Sequence, residues 1–310
     1  MPPTATETDV ITREVQIAAS PQTVYALLAD PEELGSWMGR NVEADARPGG
    51  LLRVDYNGFD IMCGSFVELV PHTRIVWAWG WESLSLEQTQ PGQSRVEITL
   101  EPANGGTLLR LRHTGLGGHE LGAHGAGWDQ FVTQLTAIAA GGSIGRPGMD
   151  LTPAEEYASQ LNTLLIRLVD VIQRCPVDAW HRPVTGDGRT VAVVANHIAG
   201  HLGLTHFAVA TANGERSPVA ELEAEAIDSM NAEDARASAN ITKPEVVATI
   251  REAGPAAVAA LRAVPAPGLA LTQPMRFAGG AHLSAEALLQ GPLLSDIREH
   301  LAGIEAAVRG

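Results

Sequence analysis

Polar and apolar positions alternate with a period near two in the first half of the chain. In the second half the apolar positions recur every three to four residues. Glu14-Val-Gln-Ile alternates as a half-buried strand does. Ser20-Pro21 supplies an N-cap and a proline suited to the first helical position, and Val24, Leu27 and Leu28 give that helix a short apolar stripe before Pro31 stops it. Pro48-Gly-Gly is a turn, residues 51–56 form a strand, and Asn57-Gly58 marks a hairpin. Strands are expected at 63–70 and 74–81, where Ile75, Trp77, Trp79 and Trp81 share one face. Two more follow at 94–100 and 107–112 around the turn 103–106. A glycine-rich loop, 115–127, leads into a helix whose Trp128, Phe131, Val132, Leu135 and Ile138 fall at helical spacing. The order is strand, helix, five strands, long helix, which predicts an α+β layer of one antiparallel sheet covered by one long helix.

Residues 140–151 lose this periodicity and gain glycine, and the seam divides the chain into domains 1–145 and 151–310. Thr152-Pro-Ala-Glu155 then reads as a capping box, and Tyr157, Leu161, Leu164, Leu165, Leu168 and Ile172 form the stripe of a long helix that ends at Cys175-Pro176. A loop runs through Gly186-Asp-Gly188. The second helix is expected from near Thr190 to about Asn213-Gly214. An acidic, alanine-rich segment at 221–239 precedes a second capping box, Thr242-Lys-Pro-Glu245, and a helix that Gly254-Pro255 should kink. A proline-rich loop, 265–274, leads to a last helix with Ile297, Leu301, Ile304 and Val308 on its core face. Four main helices with one extra segment predict an all-α bundle.

Charge and composition narrow the partners. The 310 residues carry a net charge of −15. The excess is shared: 18 acidic against 9 basic side chains to residue 150, and 18 against 12 after it. Such a surface argues against nucleic acid or an anionic membrane as partner. No apolar run approaches the ~18 residues of a membrane span, and the polar, acidic residues 1–9 do not read as a signal peptide. The expectation is a cytoplasmic protein whose oligomeric state the sequence leaves open. Cys63 and Cys175 lie in separate halves and outside any Cys-x-x-Cys motif, so they read as buried thiols.

Chemistry concentrates in the second half. His197 and His201 stand four apart in one predicted helix, and Asp296 and His300 repeat that spacing in another. Residues at i and i+4 share a helix face, so two such helices side by side would present three or four metal ligands at one point. On a helical wheel His201 points into the apolar arc of Val191, Val194 and Ile198, with His197 on its flank. In the first half, His119-Glu120 lacks the second histidine of His-Glu-x-x-His, because His124 comes one residue too late. The tryptophan row reads either as aromatic core or as a stacking wall for an apolar ligand.

The motifs also carry two resemblances. Arg13-Glu-Val-Gln-Ile, Trp37-Met-Gly39, Pro48-Gly-Gly50, Gly64-Ser-Phe, Arg74-Ile-Val-Trp with Gly80-Trp-Glu82, the run from Gly106 to Leu116, and His124-x-x-Gly-Trp128 appear in register. Over about residues 8–140 this resembles the START-like (SRPBCC) superfamily, in the branch of activator of heat-shock-protein ATPase homologues. The resemblance implies a helix-grip fold with a hydrophobic small molecule held between sheet and helix. Trp37, Trp77, Trp79, Trp81, His124 and Trp128 are the candidate ligand contacts.

Residues 151–310 resemble the DinB-like four-helix bundles, which include mycothiol-dependent maleylpyruvate isomerase. The resemblance rests on the run Thr190–His201, on Ile227-Asp-Ser-Met-Asn-Ala and on Asp296-x-x-x-His300-Leu-x-x-Ile. It implies a metal held by His197, Asp296 and His300, with His201 and His206 beside it or toward the substrate. Aspartate departs from the commoner histidine or glutamate at its place. Zinc or nickel suits such a donor set, and a low-molecular-weight thiol such as mycothiol is the implied co-substrate. Thiol transfer or metal-assisted hydrolysis is the expected chemistry, with catalytic residues unassigned. The rival expectation is a non-enzymatic binder that sequesters a hydrophobic metabolite or antibiotic. A co-chaperone role would borrow only the family's name.

Overall fold

The computed structural model describes residues 10–144 and 150–309. The chain divides into two compact units, residues 1–150 and 151–310. The predicted seam falls partly on residues 145–149, outside the described ones.

The first unit is built on a seven-stranded antiparallel sheet. Its strands are β1 (Val10–Ile17), β2 (Asn41–Ala44), β3 (Leu51–Asp55), β4 (Ile61–Val70), β5 (Arg74–Trp79), β6 (Ser94–Ala103) and β7 (Gly106–Thr114). The sheet order is β1-β7-β6-β5-β4-β3-β2. Alternation does what the sequence pattern requires. In β6, Ser94, Val96, Ile98 and Leu100 are buried, while Arg95, Glu97 and Thr99 are less so. A register shift between Phe66 and Glu68 marks a bulge in β4, the kind of feature that bends a strand and increases its twist.

Among the described residues, three α-helices complete the unit. α1 (Pro21–Ala29) starts as expected, with the Ser20 hydroxyl accepting from the Thr23 amide. Pro31 does not simply end it. Asp30 caps a second short helix, α2 (Pro31–Trp37), by accepting from the Glu32 and Glu33 amides. α3 (Leu121–Ala139) supplies Trp128, Phe131 and Leu135 to the core that the sheet also lines. The sequence pattern missed α2 and the edge strand β2, both too short to show a period.

The second unit is a helical bundle of α4 (Pro153–Arg174), α5 (Val191–Ala212), α6 (Ala224–Ala237) and α7 (Lys243–Arg262), closed by a C-terminal helix. α4 packs on α7, α5 packs on α7 and the C-terminal helix, and α6 lies against α5 without a buried residue of its own. Both predicted capping boxes form. The Glu155 carboxylate accepts from the Thr152 amide at 3.0 Å, and that of Glu245 from the Thr242 amide at 2.8 Å. α7 runs on through Pro255.

Between α7 and the end of the chain the structure departs from the expected loop. A hairpin, β8 (Thr272–Met275) and β9 (Ala281–Ser284), precedes one helical stretch that begins with α8 (Ala285–Leu288). That stretch passes through a π segment, Leu289–Ser295, into α9 (Asp296–Arg309). Pro292 sits inside the π segment, where its missing N–H breaks the regular ladder, and π turns recur at functional sites.

Candidate metal centre and ligand cavity

In the second unit, α5 and α9 pack together and bring His197, Asp296 and His300 to one place. One ligand atom from each lies within 4.8 Å of the others. The His300 Nε2 atom is 3.4 Å from Asp296 Oδ2, and the His197 and His300 rings are 5.1 Å apart between centroids. His201 stands 2.9 Å from Asp296 through Nδ1, and its ring is 4.1 Å from that of His197. The His201–Asp296 contact lacks hydrogen-bond geometry, so His201 Nδ1 and Asp296 Oδ2 are buried polar atoms without a hydrogen-bond partner. Buried polar atoms normally have one.

On the helical wheel His201 lies deeper than His197, and in the structure the order is reversed. His197 is buried at 8% exposure and His201 is half-buried. α5 is enclosed on several sides, by α7, α9, α6 and α8, so no single apolar arc decides depth. His206, expected on the substrate side, is exposed and outside the cluster.

Electrostatics prepare these side chains as donors. Burial, with His201, Arg189 and His300 nearby, pulls the His197 imidazole down to about 4, so it is neutral and keeps a lone pair at pH 7. Burial pushes the Asp296 carboxyl up, but its contact with His201 and the surrounding imidazoles outweigh this and hold it below the ordinary range. One participant escaped sequence reasoning. Asp187, in the loop before α5, makes a bidentate pair with Arg189 and lies 3.5 Å from His300 Nδ1. Hydrogen bonds from Arg189 keep the Asp187 carboxyl below its usual range despite partial burial. Only the Gly-Asp-Gly turn signal pointed there, and it says nothing of what the aspartate touches.

In the first unit, a cavity of about 930 Å³ opens between the sheet and α3. Trp37, Trp79, Trp81, His124 and Trp128 line it, together with Tyr56 and Phe131. Trp77, the sixth candidate contact, does not. It is fully buried, edge-on to Phe131 at 6.4 Å, and belongs to the core. The tryptophan row is therefore split, Trp77 to the core and Trp79 and Trp81 to the wall. β5 ends at Trp79, and Trp81 follows in an isolated bridge to Met62.

Hydrogen bonds fix the aromatic wall. The Ser94 hydroxyl donates to the Trp79 carbonyl, so its oxygen accepts from His113 Nε2 at 2.9 Å. His113 Nδ1 accepts from the Trp128 indole at 3.0 Å. A neutral imidazole protonated at Nε2 satisfies both, and burial with His124 nearby lowers its pKa to about 3. The Trp81 indole lies 3.3 Å from His124 Nε2, and His124 is lowered by burial against the opposing pull of Glu120. Glu120 is buried but satisfied by the Thr89 amide and hydroxyl and by the Gly117 amide. His119 and Glu120 thus serve the cavity's polar end.

Residues 18–140 match the family model of activator of Hsp90 ATPase homolog 1-like protein, and residues 161–290 match that of the mycothiol maleylpyruvate isomerase N-terminal domain. Each half carries a domain of a known family. The first unit is an AHSA1-like, START-like domain, and the second is a DinB-like helical domain. The AHSA1-like domain contains the cavity. The second unit contains the His/Asp/His cluster, and its family match ends at residue 290, before Asp296 and His300.

Among solved structures, an AHSA1-like protein from Rhizobium etli is 42% identical over 46% of this chain and 86% of its own, with a TM-score of 0.37. The Aha1 dimer from Colwellia psychrerythraea is 20% identical over 42% of this chain and 95% of its own, with a TM-score of 0.37. CalU16 from Micromonospora echinospora is 24% identical over 42% and 76%, with a TM-score of 0.35. No curated protein matches the chain. Among the described residues, no helix is long and apolar enough to cross a membrane.

Proposed function

We propose that the chain is a metal-dependent enzyme of thiol transfer or hydrolysis that acts on a hydrophobic small molecule. The observation that carries this reading is the convergence of His197 with Asp296 and His300 around a buried polar atom that has no hydrogen-bond partner. The neutral His197 imidazole, the His300 imidazole and a carboxylate make a donor set for zinc or nickel. When bound, such a metal lowers the pKa of a coordinated water or thiol toward neutrality. The chain's own residues do the rest. His197 and His300 offer lone pairs, Asp296 supplies negative charge, and His201 borders the same Asp296 oxygen at 2.9 Å. The isomerase-type family supports a low-molecular-weight thiol such as mycothiol as co-substrate.

The START-like unit fits the role of substrate holder. Its cavity is walled by indole and phenyl rings and ends in polar groups at His124 and Glu120. That composition suits a ligand with a flat apolar body and a polar substituent. Equilibrium dialysis tests the metal half. Wild-type protein takes up one zinc, and His197→Ala and His300→Ala lose it; a wild type that binds none contradicts the proposal.

The cavity itself favours a second reading, binding without catalysis. Glu120, its buried carboxylate, is already hydrogen-bonded to Thr89 and Gly117. On this reading the protein sequesters a hydrophobic metabolite or antibiotic. Quenching of tryptophan emission by apolar aromatic ligands, with turnover unaffected by metal removal, would favour it over the enzyme.

A further inference from the structure

The turn Gly186-Asp187-Gly188-Arg189 reaches the back of His300. Both glycines have positive φ, 88° and 85°, a backbone region open to glycine at little cost. The reversal lays the Arg189 guanidinium onto the Asp187 carboxylate through two contacts of 2.7 Å. The carboxylate is also capped locally, accepting from the Arg189 amide at 3.1 Å. Its side chain is only 14% exposed.

Two neighbours then act on the His300 ring from different sides. An Arg189 guanidinium nitrogen lies 3.4 Å from Nε2, and Asp187 Oδ2 lies 3.5 Å from Nδ1. A guanidinium only donates, so the nitrogen it meets carries the lone pair. An ionised carboxylate only accepts, so the nitrogen it meets carries the proton. Both neighbours therefore assign the same tautomer, protonated at Nδ1 and bare at Nε2. Nε2 also lies 3.4 Å from Asp296 Oδ2, but that oxygen has no hydrogen-bond partner, so the Arg189 donor and not the Asp296 carboxylate decides the tautomer at Nε2, which is on the side where the three candidate ligands converge.

We propose that Asp187 is a positioning residue of the metal centre, holding His300 with its proton on Nδ1 so that Nε2 is presented as the ligand. The inference rests on the metal reading of His197, Asp296 and His300. A carboxylate behind a ligating histidine fixes the ring's orientation and raises its basicity. Arg189 keeps that carboxylate turned inward.

The test uses the full chain labelled with ¹⁵N-histidine. Long-range proton–nitrogen spectra at mildly alkaline pH report which ring nitrogen carries the proton, with His300→Gln identifying the His300 signals. Wild type and Asp187→Asn, which keeps an acceptor oxygen, show His300 protonated at Nδ1. Asp187→Ala moves the proton toward Nε2. Zinc affinity, measured by competition with a chromophoric chelator, falls about 10- to 100-fold in Asp187→Ala and less in Asp187→Asn. An unfolded chain also favours the proton on Nε2, so the comparison is made with Asp187→Ala protein whose circular dichroism matches the wild type. A wild-type His300 protonated at Nε2, or an Asp187→Ala protein with unchanged tautomer and zinc affinity, overturns the proposal. A wild type with the expected tautomer that takes up no zinc overturns the metal reading instead, and leaves Asp187 holding the ring.

Discussion

At the scale of residues, histidines separate the two units by what their nitrogens do. His113 has both nitrogens committed, to Ser94 and to Trp128, and is a strut of the aromatic wall. His197 offers one of three ligand atoms gathered at Asp296, and His300 Nε2 lies 3.4 Å from both Asp296 and the Arg189 guanidinium. The His113 pKa falls from 6.5 to about 3 on folding. Below pH 6.5 the unfolded chain therefore takes up a proton that the folded one refuses. Stability of the first unit should drop as pH falls from about 6.5 toward 3, by about 1.4 kcal/mol per pH unit from this group, with no contribution above 6.5. Urea unfolding across that range measures the slope. His113→Gln should flatten it, and an unchanged slope would assign it to other groups. Sequence alone could list these histidines, but not sort them, because the sorting depends on contacts between residues 15 to 111 positions apart.

At the scale of elements, long periodic segments were legible and short or irregular ones were not. α3, α4, α5 and α7 followed from apolar spacing and capping boxes. β2, α2, the β8–β9 hairpin and the π segment carry too few residues, or too much proline, for any period to register. The π segment matters because it ends where Asp296 begins, so the direction of that carboxylate depends on a helical irregularity. Two substitutions probe elements directly. Thr152→Ala removes the cap of α4 and should cost the second unit about 1 kcal/mol, read from its denaturation midpoint. Gly64→Ala would drive a Cβ into the Ala78 carbonyl where β4 pairs with β5. It should destabilise the first unit by more than about 3 kcal/mol. A loss below 1 kcal/mol would mean that the strand pair can spread.

At the scale of the whole molecule, each unit buries its own core and holds its own candidate site. The fold class of each half was readable because apolar period and turn chemistry agreed along most of its length. The candidate ligands His197, Asp296 and His300 came from resemblance, and the structure adds their convergence and the outer partners Asp187 and His201. Ligand linkage should respect the division. Zinc at a hundred times its Kd should stabilise the second unit by about 2.7 kcal/mol, leaving the first unit's transition in place. An aromatic ligand of the cavity should do the reverse. Differential scanning calorimetry of the full chain resolves the two, and a zinc shift confined to the first transition would refute the assignment.

The most direct measurement is diffraction from zinc-soaked crystals of the full chain, recorded on both sides of the zinc absorption edge. The account predicts one anomalous peak within bonding distance of His197, Asp296 and His300, lost in His300→Ala. Zinc bound only elsewhere, or an empty cluster at saturating zinc, would contradict it.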